Sequence, residues 1–167
     1  MLKRHFTFLA LAIAALALVA CDDAPESGRG TVTVSSINSG LPITSTVATP
    51  GDVAIPMEFR WRPYNTLNTI TEAATHGDIL IEHYTITWTR VSGGTGALPT
   101  RSEDTQIFLP VYEPGVGFVR LVTSTEKGDA SLAALPVTMT AHFDFVAREM
   151  GSTHEMEFST QATVIFN

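Results

Sequence analysis

Three side chains in this sequence could assemble into a metal or acid–base set. His142 and Asp144 are two residues apart in an alternating stretch, so they share one face of a strand. His83 lies in the polar row of a second long alternating stretch. If the two strands are neighbours, the three groups converge on one sheet surface. Two imidazoles and a carboxylate suit zinc or copper, and His with Asp can also act as a general base. The plainer reading is a solvated sheet face, where a cross-strand His–Asp pair supports the sheet without any metal. Sheet faces are shallow and catalysis favours clefts, so no catalytic residue is assigned. A second candidate is aromatic. Trp61 and Tyr64 flank the start of a long irregular stretch, where exposed rings could stack on a sugar or anchor a protein partner. Against this, Trp61 continues the apolar row of Phe59, which points it into a core.

Other motifs exclude themselves by spacing. No serine lies in a Gly-x-Ser-x-Gly elbow. Gly93-Gly94-Thr95-Gly96 sits between strands and opens no helix, so it lacks the helix N-terminus that makes a glycine-rich loop a phosphate site. His154-Glu155 has no second His one helical turn later, and no Asp-rich calcium loop occurs. Arg60, Arg62, Arg90 and Arg120 are isolated charges in strands, expected to be solvated or paired with Glu58 and Glu82.

The elements that must hold these groups are strands. Thr31 to Ile37 alternates, with Val32 and Val34 on one face. From Asp52 to Arg62, Val53, Ile55, Met57, Phe59 and Trp61 form one row, with charged and small residues opposite. Pro56 cannot donate to a ladder, so this strand is expected near an edge or at a bulge. Pro63 to Gly77 reads as a long loop. In Asp78 to Val91, Leu80, Tyr84, Ile86 and Trp88 share one face, interrupted by Glu82; Ile79, Ile81, His83 and the threonines share the other. Strands are also expected over Thr105–Tyr112 and Val116–Thr125, with a turn at Glu126-Lys127-Gly128-Asp129 and a helical turn at Ser131–Leu135. Pro136–Arg148 places Val137, Met139, Ala141, Phe143 and Phe145 inward, and His154–Asn167 returns as its antiparallel partner. Some seven strands with one polar face each, and no long helical period, predict an all-β protein of two packed antiparallel sheets. A seven-strand Greek-key sandwich is the first expectation, and a small closed barrel the second.

The N-terminal residues carry an address. Lys3 and Arg4 precede an uncharged apolar run from Phe6 to Ala20, the layout of a secretory signal. At ~1.5 Å per helical residue this run is short for a ~30 Å hydrocarbon core. Cys21, the single cysteine, stands where the run stops. Leu18-Val19-Ala20-Cys21 resembles the lipobox of bacterial prolipoproteins. The resemblance implies cleavage before Cys21, a thioether-linked diacylglycerol on its sulfur and an N-acyl chain on its new amine. One acyl chain holds a protein only marginally, whereas two or three hold it durably. Asp22 directly after the cysteine, by the sorting rule of enterobacterial lipoproteins, favours the periplasmic face of the inner membrane over the outer membrane. Asp22 to Gly30 is small, polar and Gly/Pro-containing, a flexible tether of at most ~30 Å. The chain thus divides into residues 1–20 as leader, 21–30 as lipidated Cys and tether, and 31–167 as one domain.

Losing the leader removes two cations and no acid from a 167-residue chain of net charge −7, leaving 147 residues at −9. That balance argues against nucleic acid. With Cys21 acylated, no thiol remains for a disulfide. The stretch Asp78–Arg90 and the closing pair Thr138–Glu149 and Glu155–Phe166 are similar to strands of small bacterial lipoproteins with an immunoglobulin- or fibronectin-III-like domain, Trp88 standing where such folds bury an aromatic. That resemblance implies a fold and an anchor, and no catalytic residues or cofactor. The sequence therefore points to a lipid-anchored, non-catalytic envelope β-sandwich acting as a structural or protein-interaction module. Its partners are expected to be the membrane, through the anchor, and another envelope protein. The alternatives are a small-ligand or glycan-binding module at Trp61 and Tyr64, or a metal site at His83, His142 and Asp144.

Overall fold

A computed structural model describes residues 30–63, 77–110, 113–151, 153 and 155–167. The alternating rows resolve into eight strands: β1 (Gly30–Ile37), β2 (Ile43–Ser45), β3 (Val53–Pro63), β4 (Ile79–Ser92), β5 (Arg101–Leu109), β6 (Gly115–Val122), β7 (Val137–Glu149) and β8 (Glu155–Phe166). They form a three-stranded sheet, β1-β3-β6, and a five-stranded sheet, β2-β8-β7-β4-β5. The chain is an all-β sandwich of two separate sheets. Every pairing is antiparallel except β2 with β8, which run parallel over three residues. β2 is the strand beyond the seven expected, and its three residues are too short to show a period of two.

The inward rows meet as one core. Met57 and Phe59 of the small sheet are fully buried, as are Phe143, Val164 and Phe166 of the large one. Phe59 bridges the sheets, its ring edge-on to Phe145 at 5.4 Å, while Phe145 stacks on Phe158 at 5.0 Å. Edge-to-face and offset contacts at these separations suit the ring quadrupoles and add to the apolar area removed from water. Trp88 is buried against Phe166, with ring centroids 5.8 Å apart.

Three expectations are corrected here. In β4 the inward row is Ile79, Ile81, Tyr84, Ile86 and Trp88, because a register shift between Ile81 and His83 inserts Glu82 as an extra residue opposite β7. A bulge of this kind places two consecutive side chains on the same face and switches the parity of everything after it. Second, β5 starts at Arg101, four residues before the expected strand. Third, Ser124–Lys127 is a helical turn, α1, where the end of a strand and a turn were expected. Its cap is reciprocal: Glu126 N–H donates to Thr123 Oγ1 at 3.1 Å, and Thr123 N–H donates to Glu126 Oε2 at 2.7 Å. β3 is the middle strand of its sheet, where an edge was the first expectation for a strand with Pro56, and it carries a register shift between Val53 and Ala54. The β1 ladder on β3 ends at Met57, so at Pro56 the strand has a strand neighbour on one side only.

Candidate functional site

The outer face of the five-stranded sheet carries the His/Asp candidates. β4 and β7 are neighbours, and His83, Asp144 and His142 all point to this face. They do not converge. His83 is opposite Val146, Thr85 opposite Asp144, and Thr87 opposite His142, so the two imidazoles lie two face rows apart. Along a strand that is ~14 Å at ~3.4 Å per residue. His83 takes another partner: its Nδ1 lies 3.0 Å from Oδ1 of Asp104, across the β4–β5 pair. Asp104 is 98% exposed, so this contact is worth at most about 1 kcal/mol. Among the described residues no group of three or more His, Cys, Asp or Glu could hold a metal ion. The expected three-residue ligand set is therefore not assembled, and the reason is register.

The face does hold shallow grooves, one of about 540 Å³ lined by Leu80, Glu82, Asp104, Thr105 and Gln106 and two beside the His/Asp candidates. One, of about 340 Å³, is lined by His83, Thr85, Asp144, Val146, Glu157 and Ser159 among others. The other, of about 320 Å³, includes His142, Asp144 and Gln161. Their walls mix hydroxyl, amide, imidazole and carboxylate groups with the apolar surface of Phe145, Val146 and Phe158.

Trp61 is buried, 6% exposed, and continues the inward row of Phe59. Its edge borders a small cavity of about 190 Å³ with Arg60, Arg62, Glu113 and Pro114. Tyr64, the loop after it, Cys21 with its tether, and His154 lie outside the described residues.

The most developed polar cluster is one the sequence reading passed over. It joins the two sheets where β5 lies beside β6. Arg101 of β5 donates from Nη2 to the carbonyls of Arg120 (2.9 Å) and Leu121 (3.1 Å) on β6. Its Nε donates to Glu126 Oε1 of α1 at 3.1 Å, and Nη1 pairs with Glu103. Tyr84 Oη donates to Glu103 Oε2 at 2.9 Å and accepts from the Arg120 backbone N–H at 3.1 Å. Burial pushes the Tyr84 phenol above its usual value; its hydrogen bond to the Arg120 backbone and the nearby guanidinium charges oppose that shift. Strand edges carry unpaired backbone groups, and here the edge carbonyls of β6 are satisfied by a guanidinium from the facing sheet. One signal for this was in the sequence: Thr123-Ser124-Thr125-Glu126 has capping-box spacing, which fixes where Glu126 sits.

Arg90 is a second such lock. It belongs neither to Glu82 nor to Glu58, as had been expected. Its guanidinium donates to the carbonyls of Gly93, Thr95, Gly96 and Ser131, wrapping the glycine-rich loop around one cation. Glu82 pairs with Arg148. Arg60 does pair with Glu58, Nε to Oε1 at 3.1 Å. The Ser35 hydroxyl donates to the same oxygen at 2.6 Å, and this bond, ahead of Arg60, holds the Glu58 carboxyl below its usual range. Arg120 faces Asp52 at 3.5 Å and Glu103 at 3.6 Å.

The sequence matches no described protein family and no curated protein. Among solved structures, the chain is similar to the crystal structure of AggA, the major subunit of aggregative adherence fimbriae type I from Escherichia coli, with 8% sequence identity, a TM-score of 0.31, and coverage of 83% of this chain and 93% of that one.

Proposed function

We propose that this chain is a lipid-anchored, non-catalytic β-sandwich of the bacterial envelope, acting as a structural or protein-interaction module. The observation that carries the reading is Leu18-Val19-Ala20-Cys21: the one cysteine of the chain stands at the end of an apolar run, after small and aliphatic residues, and a polar tether follows. The folded part supports the same reading. Arg101, Glu126, Glu103, Tyr84 and Arg90 hold strands and loops to one another, which makes a rigid frame for contact. Asp22 places the anchor on the periplasmic face of the inner membrane if enterobacterial sorting applies, and otherwise in the outer membrane. A pulldown after crosslinking in intact cells, native protein against Cys21→Ala, tests anchor and partnership together. The native form is expected in the membrane fraction with a defined partner, and its N-terminal peptide is expected to carry acyl chains by mass spectrometry. If both forms fractionate alike in the soluble pool, the anchored reading is wrong.

A further inference from the structure

The two outer faces of the sandwich differ in charge. On the five-stranded sheet the outward positions include Glu82, Asp104, Asp144, Glu155 and Glu157, against Arg148, which pairs with Glu82. On the three-stranded sheet they include Arg60, Arg62 and Arg120, against Glu58 on β3 and Asp52 just before it. With Arg60 paired to Glu58 and Arg120 to Asp52, the smaller face is the less acidic side of an acidic molecule. Its apolar side chains are also the barer ones, since the larger face exposes Phe108 to 49% and Ile165 to 37%. Phe118 is 71% exposed and Val116 62%, both on β6, and Phe118 is paired with Pro56. Phe118 has Val116 and Arg120 beside it on β6 and Pro56 across from it, and an aromatic and a basic side chain together suit the interface of a bilayer.

The path of the chain selects the occupant. β1 enters at Gly30, opposite Pro63, and the next outward pairs are Thr31 with Arg62 and Thr33 with Arg60. The arginine end of the small sheet is thus the end from which the tether departs. Eight residues, Asp22 to Arg29, separate Gly30 from Cys21, a span of at most ~30 Å. A domain on so short a lead is held against the surface its anchor enters, and what remains free is its orientation.

We propose that the outer face of the three-stranded sheet, through Arg60, Arg62, Val116 and Phe118, lies on the anionic lipid headgroups of the membrane that the Cys21 anchor enters. This inference rests on the anchored reading and adds an orientation to it. An arginine brought beside an anionic leaflet favours this orientation about fivefold, less for Arg60, which carries Glu58 with it, and the acidic outer face of the large sheet is repelled from the same surface. The grooves beside His83 and His142 then face away from the membrane, toward whatever the envelope presents there.

The test uses acylated, mature protein reconstituted into vesicles of phosphatidylcholine alone or of phosphatidylcholine mixed with phosphatidylglycerol. With Cys21 acylated, a cysteine introduced by Thr33→Cys on the small face or Ser159→Cys on the large face is the one reactive thiol, and each is labelled with an environment-sensitive fluorophore. Acrylamide, which is neutral, reports exposure. The Thr33→Cys label is expected to lose quenching about fivefold or more on the anionic vesicles, and the Ser159→Cys label to stay equally quenched on both. Adding Arg62→Glu and Phe118→Ser should restore quenching at the first label while the protein still floats with the vesicles. Equal quenching of the first label on the two lipids, or protection of the second, overturns the orientation. Protection of the first label in detergent micelles without lipid assigns the face to a protein contact and also overturns it. Failure to float with neutral vesicles is a different outcome, since it removes the anchor and this inference with it.

Discussion

Arg101 ties three elements together, and its removal should show how much of the sandwich depends on one cation. Arg101→Ala takes two donors from the β6 carbonyls of residues 120 and 121. It also leaves Glu126, 5% exposed, without its guanidinium, and Glu103, 17% exposed, with the more distant Arg120 at 3.6 Å and the Tyr84 hydroxyl. Breaking one side of a buried pair costs roughly 3–5 kcal/mol, because a charge stays desolvated and uncompensated. Water reaching the opened β6 edge offsets part of this, so the expected loss is about 3 kcal/mol. Against a total of about 5–15 kcal/mol for a domain, that is a large fraction. The assay is urea unfolding followed by fluorescence of Trp61 and Trp88, the two tryptophans, both buried. With a urea slope of about 1.5 kcal/mol/M, the midpoint should fall by about 2 M.

The double variant carries the argument further. If stranded charge is the main cost, Glu126→Gln in the Arg101→Met background recovers stability, since Gln keeps an acceptor for Thr123 and carries no charge. The loss in Arg101→Met should also be nearly independent of salt, because a buried pair is screened little. A shift below about 0.5 M in Arg101→Ala, or strict additivity of the two substitutions, refutes the reasoning. It would mean that β5 and β6 are held by apolar packing alone.

Arg90→Ala should free the Gly93–Gly96 loop and lower stability by about 2 kcal/mol, with faster amide exchange confined to the loop and Ser131; Arg90→Lys should rescue little, because an ammonium cannot fork to four carbonyls. Gly93 has φ +74°, and a Cβ there would lie 2.2 Å from the Pro136 carbonyl oxygen, so Gly93→Ala should cost more than about 1 kcal/mol by thermal unfolding. Tyr84 is held protonated by burial, so its folded pKa stands above the unfolded value of about 10. The unfolded chain therefore releases this proton first, and the stability it supplies, full below about pH 10, declines as pH rises through the folded pKa. Tyr84→Phe should lose that alkaline component in a difference titration while costing about 1 kcal/mol at neutral pH for the lost bonds to Glu103 and Arg120.

The legible parts of this fold were those set by period two. β3 and β7 have uninterrupted rows, and β8 has one broken only by Thr160, so their core residues follow from alternation. β4 shows where that logic stops. Glu82 in an otherwise apolar row was the visible sign of a bulge, but alternation alone could not say that parity changes after it and places Ile79 and Ile81 with Tyr84. The same inserted residue governs the His/Asp candidates. Faces follow from strand parity, and all three groups were correctly placed on one face. Convergence follows from register between strands, which is set by bulges and by pairings remote in sequence. At β4 that register gives His83 to Asp104 and leaves His142 two rows away.

The charged residues show the same limit from the other side. Arg60 with Glu58 is a contact between i and i+2 on one strand, and it was readable. Arg101, Arg90 and Arg120 bind groups on other elements, several of them backbone carbonyls, which have no residue type and leave no mark in a sequence. Capping is the exception, because it is local: Thr123 and Glu126 announce where a carboxylate is fixed, and a fixed buried carboxylate requires a cation nearby. Reading the cap first would have raised the question of which arginine answers it. The strands nearest in the chain carry two, Arg101 and Arg120, and burial separates them. Arg101, 17% exposed, bonds to Glu126, whereas Arg120, 52% exposed, remains on the outer face with Phe118. One arginine thus closes the sandwich from inside and the other pairs with Asp52 and Glu103 from the outer face, a division set by which side of a two-residue period each occupies.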